Sequence, residues 1–214
     1  LYYALKTLGK EVRVLCADPL PKMYEYLYPD YTPSHVLFVP AEYVVAVDVA
    51  TAGMLGGLEE KYGKMVDLCI DHHPSNSDYA AQTCLWGEAG ACAEPVAAII
   101  KAIGLPVSGR IAECIYTGLA TDTGGFRYSN TSAGSMRLAA EIMESGVDTA
   151  LLNTRIFESE SKAKVLAEAA MMSALQFYAD DRIAVMPVTL AVRAATGVTG
   201  EELEDVAGIP RKIE

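Results

Sequence analysis

Two short apolar runs, each followed at once by acidic or imidazole side chains, restrict most strongly what this chain can fold into. The run 43–47 is apolar on both faces of a strand and leads into Asp48, and the mostly apolar run 65–70 leads into Asp71–His73. Strands that are apolar on both faces are typical of parallel sheets covered by helices. Because ligands bind at the carboxyl ends of the strands in such sheets, these polar side chains are expected to line one crevice.

Helical periodicity elsewhere in the chain supports the same fold class. Apolar residues recur at helical spacing over 92–104, 108–121 and 133–145. A further strand is predicted over 11–16 and a short helical stretch over 53–63. Strands that alternate with helices predict an α/β fold with a mainly parallel sheet flanked by helices.

The pattern changes in the last third of the chain. Residues 156–178 contain neither proline nor glycine and repeat apolar residues at helical spacing, which predicts one long connector helix. A strand over 182–188 and a short helix over 198–206 follow, too few residues for a stable domain. We therefore predict a first domain over 1–153, a connector over 154–179 and the beginning of a second α/β domain over 180–214.

The charge and cysteine content limit the partners and the compartment. With 17 basic and 28 acidic residues the net charge is −11, which disfavours a grip on long duplex nucleic acid. A small phosphorylated substrate fits this charge if metal ions neutralise it locally. Five cysteines without a CxxC pair indicate reduced thiols in a cytoplasmic protein. No apolar run reaches the roughly 18 residues of a membrane span, so no membrane partner is expected.

Three separate segments carry side chains suited to a divalent metal: Asp48, the pair His72 and His73, and Asp122 in a glycine-rich turn. Carboxylate and imidazole together suit Mn²⁺ or Mg²⁺, and Mn²⁺ accepts nitrogen ligands more readily. Each segment alone has an ordinary structural explanation, since aspartates cap turns and loop histidines are often solvated. Their combination favours a metal site, because two of the three histidines fall in one dipeptide, whereas His35 is expected to be a loop residue.

Four motifs make the chain similar to a known family. The sequence DHHPSN at 71–76 resembles the motif that names the DHH phosphoesterases. The sequence GLATDTGGFRYSNT at 118–131 resembles a later motif of the branch that contains bacterial oligoribonucleases, which also remove the 3′-phosphate of adenosine 3′,5′-bisphosphate. The run VAVD at 45–48 fits the second motif of the family, and DPLP at 18–21 is also similar to this branch.

The resemblance implies a role for each matching residue. Asp48 would bridge two divalent metals, and His72 and Asp122 would ligate one of them. As the catalytic pair, His73 would face the substrate phosphate or the attacking water, and Asp71 would hold a histidine in orientation. The implied metal is Mn²⁺, with Mg²⁺ as an alternative.

Two further residues of the motifs are assigned to substrate binding. Arg127 would contact a phosphate, because a guanidinium pairs with phosphoryl oxygens through two hydrogen bonds, although it could equally be a surface residue. Asn76 would position the substrate or shape the turn that contains it. Glu94 is expected to be structural, since it falls in the first turn of a predicted helix.

The implied activity is hydrolysis of short oligoribonucleotides, of adenosine 3′,5′-bisphosphate or of both, by a water that two metals activate. Two alternatives stay open, a cyclic dinucleotide phosphodiesterase and a non-catalytic nucleotide-binding module. The expected partner is a short RNA or a small nucleotide, and the protein could form a homodimer.

The resemblance also has gaps. The first motif of the family carries a histidine and several aspartates and has no match ahead of the helix that Gly9 closes. The C-terminal substrate-binding domain of the family is matched only by its first strand and helix. The printed chain is therefore expected to be a piece of the intact enzyme that is inactive by itself.

Overall fold

The computed structural model describes residues 1–28, 33–34, 40–203 and 206–213. His35, expected to be a loop residue, lies outside these described residues. The chain divides into two compact units, Leu1–Phe157 and Glu158–Glu214. In the described part of the chain, no helix is both long enough and apolar enough to cross a membrane.

A three-stranded parallel sheet organises the first unit. Its strands, in spatial order, are β1 (Val45–Val47), β2 (Leu68–Asp71) and β3 (Gln82–Leu85). The register pairs Val47 with Ile70 and Asp71 with Leu85, so the carboxyl ends of the strands meet at one edge of the sheet. This confirms the predicted α/β fold with a parallel sheet. The sequence did not predict β3, because its run QTCL is neither apolar throughout nor alternating.

The strand predicted over residues 11–16 is wrong as far as the described residues show. Only Leu15 forms a β-bridge there, a parallel one to Ser34. The side chains of Glu11 and Arg13 pair with each other at the surface, with 3.1 Å between Oε1 and Nη2. A strand needs a neighbour that takes up its backbone N–H and C=O groups, and a single bridge does not provide one.

Helices precede, separate and follow the strands along the chain, and they supply most of the core of the first unit. They are α1 (Tyr2–Thr7), α2 (Glu59–Tyr62), α3 (Ala93–Ala102), α4 (Gly109–Asp122), α5 (Ala133–Glu144) and α6 (Thr149–Asn153). Shorter 3₁₀ turns span Lys22–Leu27, Ala52–Leu58 and Gly63–Met65, and a π-helical turn spans Thr154–Glu158. The helices predicted over 53–63, 92–104, 108–121 and 133–145 are confirmed, with small differences at their ends.

One apolar cluster includes residues of both α4 and β2, and α3 packs against each of these two elements. Ile115 and Leu119 of α4 are buried in the same cluster as Ile70 of β2. Full burial of such a side chain contributes about 1.5–3 kcal/mol relative to exposure. Because Ile70 directly precedes Asp71 and α4 ends at Asp122, this core fixes the positions of both acidic residues.

The single helix predicted over 156–178 is wrong, because a new helix starts inside the segment. The π-helical turn ends at Glu158, and α7 (Lys162–Ser173) begins only after a break. The Ser161 hydroxyl caps α7 and accepts a hydrogen bond from the backbone N–H of Lys164 at 3.0 Å. Serine at a helix N-cap satisfies a backbone donor, so a segment without proline or glycine can still be interrupted there.

The rest of the second unit consists of a hairpin and short helices. β4 (Gln176–Tyr178) pairs antiparallel with β5 (Ile183–Val185), which confirms in part the strand predicted over 182–188. The sequence did not predict α8 (Leu190–Thr196). Where a helix is predicted over 198–206, the described residues form short 3₁₀ turns, Glu201–Leu203 and Val206–Gly208.

Candidate metal centre

Asp48 leaves β1 in a conformation that few residues other than glycine adopt. Its backbone N–H donates to the carbonyl of Ile70 at 2.9 Å, which extends the parallel ladder by one step. Its φ is 63°, in the left-handed region, where aspartate is one of the tolerated residues. The chain therefore turns away from the sheet at Asp48 and leaves its side chain half-exposed at the carboxyl edge.

Asp71, the last residue of β2, is completely buried and fully hydrogen-bonded. Its Oδ1 accepts from the backbone N–H of His72 at 2.8 Å and from Nδ1 of His73 at 2.8 Å. Its Oδ2 accepts from Nδ2 of Asn76 at 2.6 Å. Burial raises the pKa of Asp71, but these hydrogen bonds outweigh it and hold the pKa below its usual value. Asp71 is therefore a buried carboxylate that fixes the two histidines.

His72 directs one ring nitrogen to the backbone and the other to two carboxylates. Its Nδ1 lies 3.0 Å from the carbonyl oxygen of Ala89, and since a carbonyl can only accept, Nδ1 carries the proton. In the neutral ring Nε2 then holds a lone pair. That nitrogen lies 3.1 Å from Oδ2 of Asp122 and 3.5 Å from Oδ1 of Asp48.

Asp122 occupies an unfavourable place for a carboxylate. It is the last residue of α4, where the helix dipole disfavours negative charge. Burial raises the pKa of Asp122, and the nearby negative charge of Asp48 raises it further. Its backbone carbonyl accepts from Nδ2 of Asn130 at 3.1 Å, and the same amide group donates to the carbonyl of Gly90 at 2.8 Å. A carboxylate held where its charge is disfavoured is typical of a functional site.

The donor atoms fit a divalent cation. Nε2 of His72 and Oδ2 of Asp122 are buried atoms without a hydrogen-bond partner among the described residues, although only 3.1 Å separates them. Two ligands at neighbouring corners of an octahedral ion lie about 3 Å apart. Asp48, His72 and His73 can each offer a donor atom within 4.8 Å of the others. A cation would satisfy the lone pair and the carboxylates together, and two carboxylates with imidazole suit Mn²⁺ or Mg²⁺.

His73 is the more exposed of the two histidines. Its ring centre lies 4.5 Å from that of His72. The hydrogen bond from its Nδ1 to Asp71 raises the pKa of His73, and the charges of Asp71 and Asp48 add to this. With Nδ1 committed to Asp71, Nε2 is the ring nitrogen left for a ligand.

The side chain of Asn76 forms hydrogen bonds on both sides of the turn that contains it. Its Nδ2 donates to Asp71 and, at 3.6 Å, to the thiol sulfur of Cys69. Its Oδ1 accepts from the backbone N–H of Asp78 at 2.8 Å. Because these contacts occupy both ends of the amide, Asn76 is placed to hold Asp71 and to shape the turn, and the second of these is one of the two roles expected for it.

Arg127 lies in the turn that follows Asp122. Its Nε donates to the carbonyl of Gly124 at 2.6 Å, and its guanidinium lies over the ring of Phe157. Glu94 is structural, as predicted: its Oε1 accepts from the backbone N–H of Gly90 at 2.9 Å and from the hydroxyl of Ser135 at 2.6 Å.

Sequence reasoning missed two supporting groups. The carbonyl of Ala89 orients His72, and Asn130 ties the turn after α4 to Gly90. A backbone carbonyl leaves no signature in the side-chain pattern. Asn130 lies inside the motif at 118–131, but nothing in the sequence separates it from an ordinary turn residue.

Comparison with solved structures supports the fold. The chain superposes on a crystal structure of an exopolyphosphatase-related protein from Bacteroides fragilis with a TM-score of 0.90 and 21% sequence identity. The match covers 100% of this chain and 66% of that one. At this identity the match shows the fold alone.

Two curated proteins extend the comparison to sequence. The chain is 30% identical over 221 residues to the bifunctional oligoribonuclease and PAP phosphatase NrnA of Thermus thermophilus, covering 100% of this chain and 63% of that protein. It is 27% identical over 94 residues to the protein of the same name in Bacillus subtilis, covering 42% of this chain and 30% of that protein. The chain thus spans less than two thirds of the length of these relatives. No family model matches it.

These comparisons confirm the resemblance to the DHH phosphoesterases that the motifs indicate. In particular, the chain is similar along its whole length to the Thermus thermophilus bifunctional oligoribonuclease and PAP phosphatase NrnA.

Proposed function

We propose that the protein is a metal-dependent phosphoesterase that hydrolyses short oligoribonucleotides, adenosine 3′,5′-bisphosphate or both. The observation that carries this proposal is the pair of buried atoms His72 Nε2 and Asp122 Oδ2, which lie 3.1 Å apart beside Asp48 and have no hydrogen-bond partner in the described part of the chain. The names of the Thermus and Bacillus relatives supply the substrate class. The net charge of −11 suits a small substrate better than a long one.

Asp48, His72 and Asp122 would hold the metal. The carboxylate of Asp48 is half-exposed, so it would be open to a metal ion from the solvent side. We favour Mn²⁺, since imidazole nitrogen suits it better than Mg²⁺. When bound, divalent ions supply positive charge for the phosphoryl group and acidify water.

His73 would handle the proton. The Asp71 carboxylate accepts a hydrogen bond from Nδ1 of His73 at 2.8 Å. This hydrogen bond fixes the ring and stabilises its protonated form. His73 would then donate a proton from Nε2 to the leaving oxygen or hydrogen-bond to a phosphoryl oxygen. Asp71 acts through His73 and would not touch the substrate.

Arg127 would contact a second phosphate or a phosphoryl oxygen of the substrate. Its guanidinium is a planar donor that matches phosphate with two parallel hydrogen bonds. In a chain of net charge −11, an exposed arginine close in sequence to Asp122 is suited to a phosphate rather than to a long nucleic acid.

Activity assays of the protein made from its complete gene test this proposal. With Mn²⁺, we expect turnover of the dinucleotide pApA, of adenosine 3′,5′-bisphosphate or of both. Asp48→Ala and His72→Ala should each lower kcat/KM by a factor of about 10³ or more while the far-UV circular dichroism is unchanged.

The alternatives give different results in the same assay. Turnover of cyclic di-AMP alone would replace the proposed substrate by a cyclic dinucleotide. Nucleotide binding without turnover of any of the three compounds would favour a non-catalytic binding module. Full activity in His72→Ala would remove His72 from the metal site.

A further inference from the structure

Two contacts hold the side chain of Arg127 in one orientation. Its Nε donates to the carbonyl of Gly124 at 2.6 Å, and its guanidinium carbon lies 5.7 Å from the centre of the Phe157 ring. Among the described residues, Arg127 forms no salt bridge with a carboxylate. The two terminal amino groups of the guanidinium are therefore left for a ligand.

The Phe157 ring contacts the turn as well as the cation. A Cβ atom placed on Gly125 would lie 3.4 Å from the ring, so the ring packs directly against the backbone of Gly125. Gly125 has a φ of 67° and forms part of the tight turn that follows α4. Phe157 is 37% exposed, so core packing alone does not explain an aromatic residue at this position.

The π-helical turn Thr154–Glu158 presents Phe157 to Arg127. Ile156 of this turn packs against the core of the first unit. Arg155 lies over the ring of Tyr26, with 5.0 Å between its guanidinium carbon and the ring centre. Short π-helical turns often occur at functional sites, because the extra residue per turn redirects side chains.

The geometry points to Phe157 as a positioning residue that holds the Arg127 guanidinium ready for a substrate phosphate. This inference rests on the phosphate contact proposed above for Arg127. A side chain that is already ordered loses less conformational entropy when the ligand binds, so the ring strengthens phosphate binding without touching the substrate. Cation–π contacts at exposed sites correspond to about a two- to fivefold effect on affinity.

A double-mutant cycle with inorganic phosphate as the probe tests the inference. Isothermal titration calorimetry in the presence of Mg²⁺ would measure the dissociation constant for phosphate in the protein made from its complete gene. We expect Phe157→Leu to weaken phosphate binding about two- to fivefold and Phe157→Tyr, which keeps the ring, to restore most of the affinity. In an Arg127→Ala background, Phe157→Leu should cause no further loss.

Tyr43→Leu is a matched control, since Tyr43 is an exposed aromatic residue at the opposite end of β1 from Asp48. An equal loss of affinity for Phe157→Leu with and without Arg127 would show a merely structural role and overturn the inference, as would the absence of phosphate binding in the unsubstituted protein.

Kinetics with the active substrate separate this inference from the proposed function. Phe157→Leu should raise KM about two- to fivefold and leave kcat within a factor of about two. If the unsubstituted protein hydrolyses none of the test substrates but shows the expected phosphate cycle, the proposed function fails and the role of Phe157 stands. A lowered kcat with unchanged KM would contradict the positioning role.

Discussion

At the scale of single residues, Asp122 shows most clearly the conflict between stability and function. Its carboxylate ends α4 and lies near Asp48, and burial raises its pKa. In the metal-free protein, Asp122→Asn should therefore raise the free energy of unfolding by about 0.5 kcal/mol. The gain is small because the side chain is 39% exposed and solvent screens its charge.

Urea denaturation with and without Mn²⁺ checks this prediction. Mn²⁺ should stabilise the unsubstituted protein and have little effect on Asp122→Asn, because binding to the folded state alone adds to stability. Lower stability of Asp122→Asn without metal would mean that the carboxylate has a structural role instead.

Asn76 gives a second prediction at this scale. Asn76→Ala leaves Oδ2 of the completely buried Asp71 without its hydrogen-bond donor. An unsatisfied buried acceptor of this kind costs about 1–3 kcal/mol. We expect the free energy of unfolding to fall by that amount in the absence of substrate, as measured by urea denaturation. A variant with unchanged stability and a raised KM would instead restore the substrate-binding role that the resemblance implies.

The sequence predicted which side chains meet but not how they are held. Asp48, His72, His73 and Asp122 lie together because each follows or ends an element whose apolar pattern is clear. The support of His72 comes from the carbonyl of Ala89, which any residue at that position could provide. Such backbone contacts depend on the path of the chain after β3, a strand that the sequence pattern did not reveal.

At the scale of elements, the turn after α4 depends on glycine. Gly124 has a φ of 57°, and a Cβ atom there would overlap the ring of Tyr128. We expect Gly124→Ala to lower the free energy of unfolding by about 1–2 kcal/mol, since alanine is strained in the left-handed region. Activity should fall as well, because the same turn carries Arg127.

Gly57→Ala is the matched control for this prediction. Apart from its chain neighbours, no described residue has an atom within 4 Å of a Cβ placed on Gly57, and its φ is not in the left-handed region. Thermal unfolding should show a lower Tm for Gly124→Ala and little change for Gly57→Ala. Equal Tm values for the two variants would show that the turn tolerates a side chain.

The elements that the sequence predicted well are those with a one-sided apolar pattern. α3, α4 and α5 bury one face each, so their periodicity is visible in the sequence. The prediction of one long helix over 156–178 is wrong for the opposite reason. Of its residues, α7 buries only Ala167 and Met171, so the apolar periodicity does not distinguish α7 from the segments on either side of it. There the local chemistry of Ser161 and the pairing of β4 with β5 decide the structure.

At the scale of the whole molecule, charge limits the substrates. The net charge is −11, so long polyanions are repelled wherever metal ions do not neutralise them. In filter binding at 0.15 M salt, we expect a dissociation constant weaker than about 10⁻⁴ M for a duplex RNA of 24 base pairs. Tight, salt-sensitive binding of that duplex would contradict the expectation of a short substrate.

We propose that Asp48, His72 and Asp122 hold a divalent metal. The most direct measurement is an anomalous difference map from crystals of the protein made from its complete gene, grown with Mn²⁺. We expect a peak at about 2.0–2.6 Å from both Nε2 of His72 and Oδ2 of Asp122. A well-ordered site without a peak, or a Mn²⁺ peak bound only elsewhere, would contradict it.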